Sequence, residues 1–365
     1  MSRENLCEKI GEALTAYFGY CPEDCRPFGN GHINDTFLVT TDRRYILQRM
    51  NNLVFPKPDE MMENIMGVTE HIRKKAEARG EDVRRATLVV LRTKDGANYF
   101  RDSIDSWWRL FEFTEGTVSK DQVESPADFE TCAEAFGRFQ QELSDYPAEK
   151  LHETIVNFHN TPDRIRQFKE ALEADVAKRR SEVQEEIKFV LDREEFAGTL
   201  ERAHAEGKLP LKVTHNDTKL NNILFDKRTG KPLCIIDLDT IMPGYSVNDF
   251  GDSIRFGATT ALEDEADLSK VNFDISLYEL YVKGFIEGAQ GGLTEGELEM
   301  LPIGAMMMTF ECGTRFLTDY LSGDTYFRTS RPKHNLDRAR NQFKLVRDME
   351  AKLPEMREIV KKYSH

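Results

Sequence analysis

The stretch Thr214-His215-Asn216-Asp217-Thr218-Lys219-Leu220-Asn221-Asn222 sets a carboxylate five residues before a carboxamide. An apolar run follows, then a turn at Asp226-Lys227-Arg228-Thr229-Gly230, then a second apolar run, Cys234-Ile235-Ile236, that ends in Asp237. Taken singly, such residues cap helices and form turns. In this order they are what phosphoryl transfer to a hydroxyl needs: a carboxylate within hydrogen-bond reach of the nucleophile, and oxygen ligands for the magnesium that clamps the phosphates. Asp217 is therefore expected to orient the hydroxyl and take its proton. Asn222 and Asp237 are expected to face one another across the intervening hairpin and hold Mg²⁺, which prefers hard oxygen to thiolate or imidazole. Asp239 is a weaker candidate for the same cation or for substrate. Lys219 either neutralises the transferring phosphoryl oxygens or is a solvated loop lysine, and His215 is expected to shape the loop.

Other segments could serve a nucleotide or an acceptor. In Phe28-Gly29-Asn30-Gly31-His32-Ile33-Asn34-Asp35, Gly29 and Gly31 let the backbone approach phosphates without a β-carbon in the way, although a plain hairpin uses the same residues. His32 there is placed to meet a sugar hydroxyl or a phosphate, or only its own loop. The following strand, Tyr45-Ile46-Leu47-Gln48-Arg49-Met50, lacks the lysine that pairs with phosphates in protein kinases. Strict alternation sends Gln48 and Arg49 to opposite faces, so at most one of them meets the nucleotide. Asp249, in Asn248-Asp249-Phe250-Gly251-Asp252, is read as tying the catalytic segment to its surroundings. Phe256 is either a platform for a sugar ring or a core residue. Arg315 interrupts an apolar helical face and needs either substrate or a carboxylate such as Asp319, one turn on.

The elements that must position these residues follow from periodicity. Leu6, Ile10, Leu14 and Phe18 mark an amphipathic helix, residues 28 to 50 a hairpin, residues 59 to 79 a helix, and 87–91, 99–101 and 107–112 further strands. Residues 1–115 thus form a mainly antiparallel sheet with an inserted helix. Residues 116–365 are mostly helical: Asp128 to Leu143 is bounded by Ser125-Pro126 and Pro147, and Thr161-Pro162 reads as an N-cap followed by proline at the first helical position. The fold class is α+β. The chain has 365 residues and a formal net charge of −14, with basic residues dispersed among acidic ones, so nucleic acid is not expected as a partner. Six cysteines in no metal-binding spacing read as reduced thiols. With neither a signal peptide nor an 18-residue apolar run in evidence, a cytoplasmic protein without membrane contact is expected. No obligate protein partner is indicated.

Over nearly its whole length the chain resembles the bacterial N-acetylhexosamine 1-kinases, within the aminoglycoside and choline kinase-like superfamily. The resemblance rests on Gly31-His32-Ile33-Asn34, Tyr45-Ile46-Leu47-Gln48, the segment from Thr214 to Leu224, Ile236-Asp237-Leu238-Asp239-Thr240-Ile241-Met242-Pro243-Gly244, Asp249 to Gly257, Glu311-Cys312-Gly313 and Arg315-Phe316-Leu317. It implies a bilobal protein-kinase-like fold, with a small sheet lobe covering the nucleotide and a larger helical lobe. The implied reaction transfers the γ-phosphoryl group of ATP to the anomeric hydroxyl of N-acetylglucosamine or N-acetylgalactosamine. Asp217 would be the base, Asn222 and Asp237 the Mg²⁺ ligands, and His32, Phe256, Arg315 and Tyr326 sugar-site residues. The missing lysine is shared with that family, whereas Cys25 stands where a larger apolar residue is expected. The alternatives are a kinase of choline, homoserine, an aminoglycoside or another small alcohol, and a nucleotide-binding pseudokinase.

Overall fold

The computed structural model describes residues 3–29, 33–120 and 125–364, and Gly31 and His32 lie outside them. The chain divides into two compact units that are not continuous in sequence. The first comprises residues 1–119, 149–155 and 223–242, and the second 120–148, 156–222 and 243–365.

In the first unit, helix α1 (Arg3–Phe18) precedes strands β1 (Asp24–Pro27), β2 (Asp35–Thr40) and β3 (Arg44–Met50). Helices α2 (Pro58–Ala78) and α3 (Val83–Ala86) follow, then β4 (Val90–Leu91), β5 (Phe100–Arg101), β6 (Trp107–Glu112) and β7 (Thr117–Val118). The antiparallel sheet runs β1-β2-β3-β6-β4, with β5 also on β6. Alternation sends Phe37, Val39, Tyr45, Leu47, Trp108 and Leu110 into one core with Ala13, Leu14 and Tyr17 of α1. Burying Trp108 requires a partner for its indole N–H, which donates to Asp102 Oδ2 at 2.9 Å. The opposite face is polar at one end, because the registers align Thr36, Gln48 and Arg109 across three strands. A later hairpin, β9 (Ile223–Asp226) with β10 (Pro232–Ile235), pairs with β7 and delivers Asp237 at its end.

The second unit holds α4 (Pro126–Glu142), α5 (Thr161–Ala174), α6 (Gln184–Leu191), α7 (Glu194–Ala197), α8 (Thr199–Ala205) and the short strand β8 (Lys212–Thr214). Strand β11 (Met242–Gly244) carries the chain back into it, followed by α9 (Ser246–Gly257), α10 (Ile275–Ala289), α11 (Glu295–Leu321) and α12 (His334–Tyr363). Ser125 caps α4 by accepting from the Asp128 amide. At α5 the cap is Asn160 rather than Thr161, since Asn160 accepts from the Asp163 amide and the Thr161 hydroxyl is drawn to Glu311 Oε2 at 2.7 Å. Apolar residues of α5, α6, α11 and α12, including Phe168, Phe189, Phe310 and Phe343, close one core. Helix α9 packs on α11 through glycines: a β-carbon on Gly251 would lie 2.3 Å from the Gly304 carbonyl, and one on Gly304 would lie 2.3 Å from the Val247 carbonyl. Only two residues without side chains allow this main-chain contact. It fixes where α9 stands, and α9 holds the loop that carries Asp217.

Candidate functional site

The loop after β8 is bound to α9 by its backbone. Asp249, buried in α9, accepts from the amides of His215 and Asn216 at 2.8 Å each, and from Gln140 Nε2 at 3.0 Å. Burial lifts its carboxyl above the ordinary aspartate range, with the His215 charge and these amide bonds opposing. Asp252, one turn on, accepts from the Thr218 amide at 3.2 Å and from Arg255 at 2.8 and 3.0 Å. Burial raises its pKa, but Arg255 and Lys219 together hold it below the usual range. Thr218 Oγ1 donates to the Asp249 carbonyl at 2.8 Å. The buried His215 ring, edge-on to Phe136 and Phe139, accepts the Asp217 amide at Nδ1, 3.2 Å away. These bonds stabilise a left-handed backbone at Asn216, φ 64°, which is sparsely populated by non-glycine residues.

Asp217 thereby projects its carboxylate from a fixed backbone while staying partly solvated. Oδ1 pairs with Lys219 Nζ at 2.6 Å, and Oδ2 accepts from Asn222 Nδ2 at 3.0 Å. Burial works to lower the Lys219 pKa, yet the Asp217 carboxylate outweighs it and holds the ammonium charged. The sequence candidates Asp217, Lys219 and Asn222 are thus brought into direct contact.

Farther along the same unit, Arg315 on α11 makes no ion pair among the described residues. Its guanidinium lies instead 5.6 to 5.9 Å from the ring centroids of Phe158, Tyr326 and Phe327. Asp319, the carboxylate weighed as its partner, is otherwise engaged: it accepts the amides of Thr325, Tyr326 and Phe327 at 2.8 to 2.9 Å and so shapes the loop that carries Tyr326. Tyr326 is 72% and Phe256 54% exposed, so neither is a core residue.

Sequence reasoning missed His159. Its Nδ1 lies 2.9 Å from Glu311 Oε1, its side chain is only 10% exposed, and its buried Nε2 has no hydrogen-bond partner among the described residues. Burial alone would raise the Glu311 pKa, but the charge and hydrogen bond of His159 bring it below the usual range. Nothing in Asn157-Phe158-His159-Asn160 beyond the presence of a histidine marks it, because its partner is 152 residues away.

In the first unit Asp237 is exposed and left-handed, φ 59°, at the start of the 3₁₀ turn Leu238–Thr240. Asp239 is not available to a cation or substrate as weighed from sequence. It is buried, its Oδ1 lies 2.5 Å from Arg109 Nη1, and its Oδ2 accepts from Asn34 Nδ2 at 2.7 Å. Gln48 turns to the same face and accepts from Arg109 Nε at 2.9 Å, while Arg49 turns the other way and donates from Nε to Asp35 at 2.7 Å. Arg109 was also missed, although a charged residue inside Trp107-Trp108-Arg109-Leu110-Phe111 is a visible break in an apolar strand. Gly29 has φ 75° and open space where a β-carbon would stand, so the turn itself requires glycine.

Asn222 and Asp237, expected from the sequence as metal ligands, each carry a hard oxygen, the donor type that Mg²⁺ takes from protein beside substrate phosphates and water. No group of three or more His, Cys, Asp and Glu side chains gathers among the described residues. No helix among the described residues is long and apolar enough to cross a membrane.

Several solved structures share this fold. A microcompartment-associated aminopropanol kinase aligns over 95% of this chain and 97% of its own at 16% identity, with a TM-score of 0.61. An amicoumacin kinase in complex with AMP-PNP and Ca²⁺ aligns over 96% and 94% at 14% identity, TM-score 0.59. An aminoglycoside phosphotransferase from Alicyclobacillus acidocaldarius aligns over 96% of both chains at 14% identity, TM-score 0.61. At these identities the likeness is one of fold, here a kinase-like one. The sequence pattern of the phosphotransferase enzyme family matches residues 24–279, well over half of the chain, and the protein belongs to that family.

Proposed function

We propose that the protein transfers the γ-phosphoryl group of ATP to the anomeric hydroxyl of an N-acetylhexosamine. One observation carries the acceptor half of this reading: Arg315, a guanidinium without an ion pair among the described residues, sits among aromatic rings in the same unit as Asp217. Such a cluster offers hydrogen-bond donors and ring faces to a neutral sugar, and its guanidinium already occupies the cation-attracting ring faces that an ammonium acceptor would use. Phe256 adds a further exposed ring to the exposed Tyr326, and the buried His159 Nε2 offers a hydrogen-bond partner to a substrate oxygen or hydroxyl. His32 belongs with them by resemblance.

Asp217 accepts the proton of the attacking hydroxyl. An anomeric hydroxyl is more acidic than an ordinary alcohol, which eases its deprotonation by a carboxylate. Lys219, charged and 2.6 Å from the Asp217 carboxylate, stands ready to meet phosphoryl charge. Asn222 and Asp237 supply oxygen ligands to Mg²⁺, which when bound neutralises phosphate charge. On the nucleotide side, Gly29 and Gly31 let the backbone approach the phosphates. Gln48, rather than the outward Arg49, shares the face that carries Arg109.

The competing substrate class is the amino alcohols and aminoglycosides named for the structures of similar fold. Phosphorus NMR of products formed from ATP, Mg²⁺ and each of N-acetylglucosamine, N-acetylgalactosamine, galactose, choline, 1-aminopropan-2-ol and homoserine separates the readings. An anomeric sugar phosphate is expected. Product from the cationic acceptors alone would leave a kinase and remove the sugar assignment.

A further inference from the structure

Thr36, Gln48 and Arg109 form a polar row across β2, β3 and β6, of which the reading above gives only Gln48 a place on the nucleotide side. The row is bonded end to end, since Gln48 Nε2 donates to Thr36 Oγ1 at 3.1 Å while its Oε1 accepts from Arg109. It continues through the Arg109–Asp239 contact, whose side chains are only 2% and 4% exposed. Asp239 then takes Asn34 Nδ2 on its other oxygen, and Asn34 Oδ1 accepts the Asn51 amide at 3.0 Å.

A buried ion pair is a poor source of net stability, because removing two charges from water costs several kcal/mol per ion and an apolar pair often does as well. Its position points to another use. Asp239 stands two residues beyond Asp237, on the 3₁₀ turn that begins from the left-handed Asp237. Such a backbone persists only where the surroundings enforce it. Asn34, at the other end, directly follows the glycine segment.

We propose that Arg109 is a positioning residue for the metal-bound nucleotide. By neutralising Asp239 it fixes the turn Leu238–Thr240, and with it the conformation that presents Asp237. Through the same carboxylate, Asn34 ties the end of the glycine segment to that turn. This accounts for glutamine where a kinase strand carries lysine. Gln48 can accept from Arg109, whereas an ammonium has only donors and would set a second cation against the guanidinium. The inference rests on the reading that Asp237 serves the metal-bound nucleotide, so the test treats the two separately.

The measurement is calorimetric binding of AMP-PNP to the full chain over a range of Mg²⁺ concentrations, which requires no turnover. Arg109→Met with Asp239→Asn removes both charges and leaves none buried alone. Asn34→Ala changes only a partly exposed side chain. In the double variant the half-saturating Mg²⁺ concentration should rise about 10-fold or more, as for residues that orient a metal ligand. Asn34→Ala should move it a few-fold in the same direction, and nucleotide binding without Mg²⁺ should stay within about twofold in both. Asp237→Ala should abolish the Mg²⁺-dependent part. If Asp237→Ala does so while Asn34→Ala and the folded double variant match the parent, the role given to Arg109 is wrong. If Asp237→Ala keeps the full Mg²⁺ dependence, the reading of Asp237 fails instead, and the inference with it. Should the double variant not fold, Asn34→Ala decides alone.

Discussion

The Asp217 loop of the second unit and the Asp237 turn of the first face the same physical problem and solve it differently. Each presents a solvated carboxylate beside or on a left-handed non-glycine residue, Asn216 or Asp237. In the second unit, two buried carboxylates of α9 accept three backbone amides of the loop. In the first, the turn is held by side chains that hold one another, Asn34, Gln48, Arg109 and Asp239. A clamp on main-chain amides is indifferent to which side chains the loop carries. A clamp made of side chains depends on every identity in it.

The largest expected effect falls on the carboxylate the backbone clamp presents. Asp217→Asn should lower turnover by about 10²-fold or more with the fold retained, as for loss of a positioned base; circular dichroism and steady-state rates check this, and near-normal turnover would remove Asp217 from the chemistry. Asp249→Ala tests the clamp itself. Leaving two buried amides and Gln140 without their acceptor should cost about 2–5 kcal/mol in denaturant unfolding. A loss below about 1 kcal/mol would mean that the loop is held some other way. Arg315→Met probes the acceptor side, where loss of a charge-assisted hydrogen bond should raise the sugar KM about 10-fold and leave KM for ATP unchanged. Equal changes in both would place Arg315 outside acceptor recognition. The smallest effect sharpens the contrast. Asn216→Gly suits φ 64° and keeps the amide that Asp249 holds, so stability should stay within about 1 kcal/mol and turnover within about twofold.

Much of this was legible in the sequence where the signal is local. The Asp217, Lys219 and Asn222 cluster lies within six residues, and a tight loop can join those side chains only a few ways. Asp249 was readable as a tie because Asn248-Asp249-Phe250-Gly251 follows the Asp237 strand too late to belong to it, and α4 was marked at both ends by Ser125-Pro126 and Pro147. Several of the misses depend on distant partners, although Arg109 was locally visible. Thr161 gave up the cap of α5 to Asn160 because Glu311, 150 residues on, takes its hydroxyl. Asp239 looked like a spare metal ligand until Arg109 of β6 and Asn34, just before β2, claimed both of its oxygens. His159 was invisible for the same reason, its environment being set by α11. The charged stretch 163–206 reads as one long amphipathic region, yet it breaks into α5, α6, α7 and α8, the first ending at a left-handed Asp175.

The contact between Gly251 and Gly304 has a consequence for how such a protein can diversify. A methyl group at either position would push α9 away from α11 and carry off Asp249 and Asp252, together with the three amides they hold. Phe256 and Arg315 lie on these same two helices but at exposed or partly exposed positions, clear of the glycine contact. On the proposed reading, acceptor preference is therefore open to change by surface substitution, one residue at a time, while the spacing that sets the Asp217 loop admits almost none.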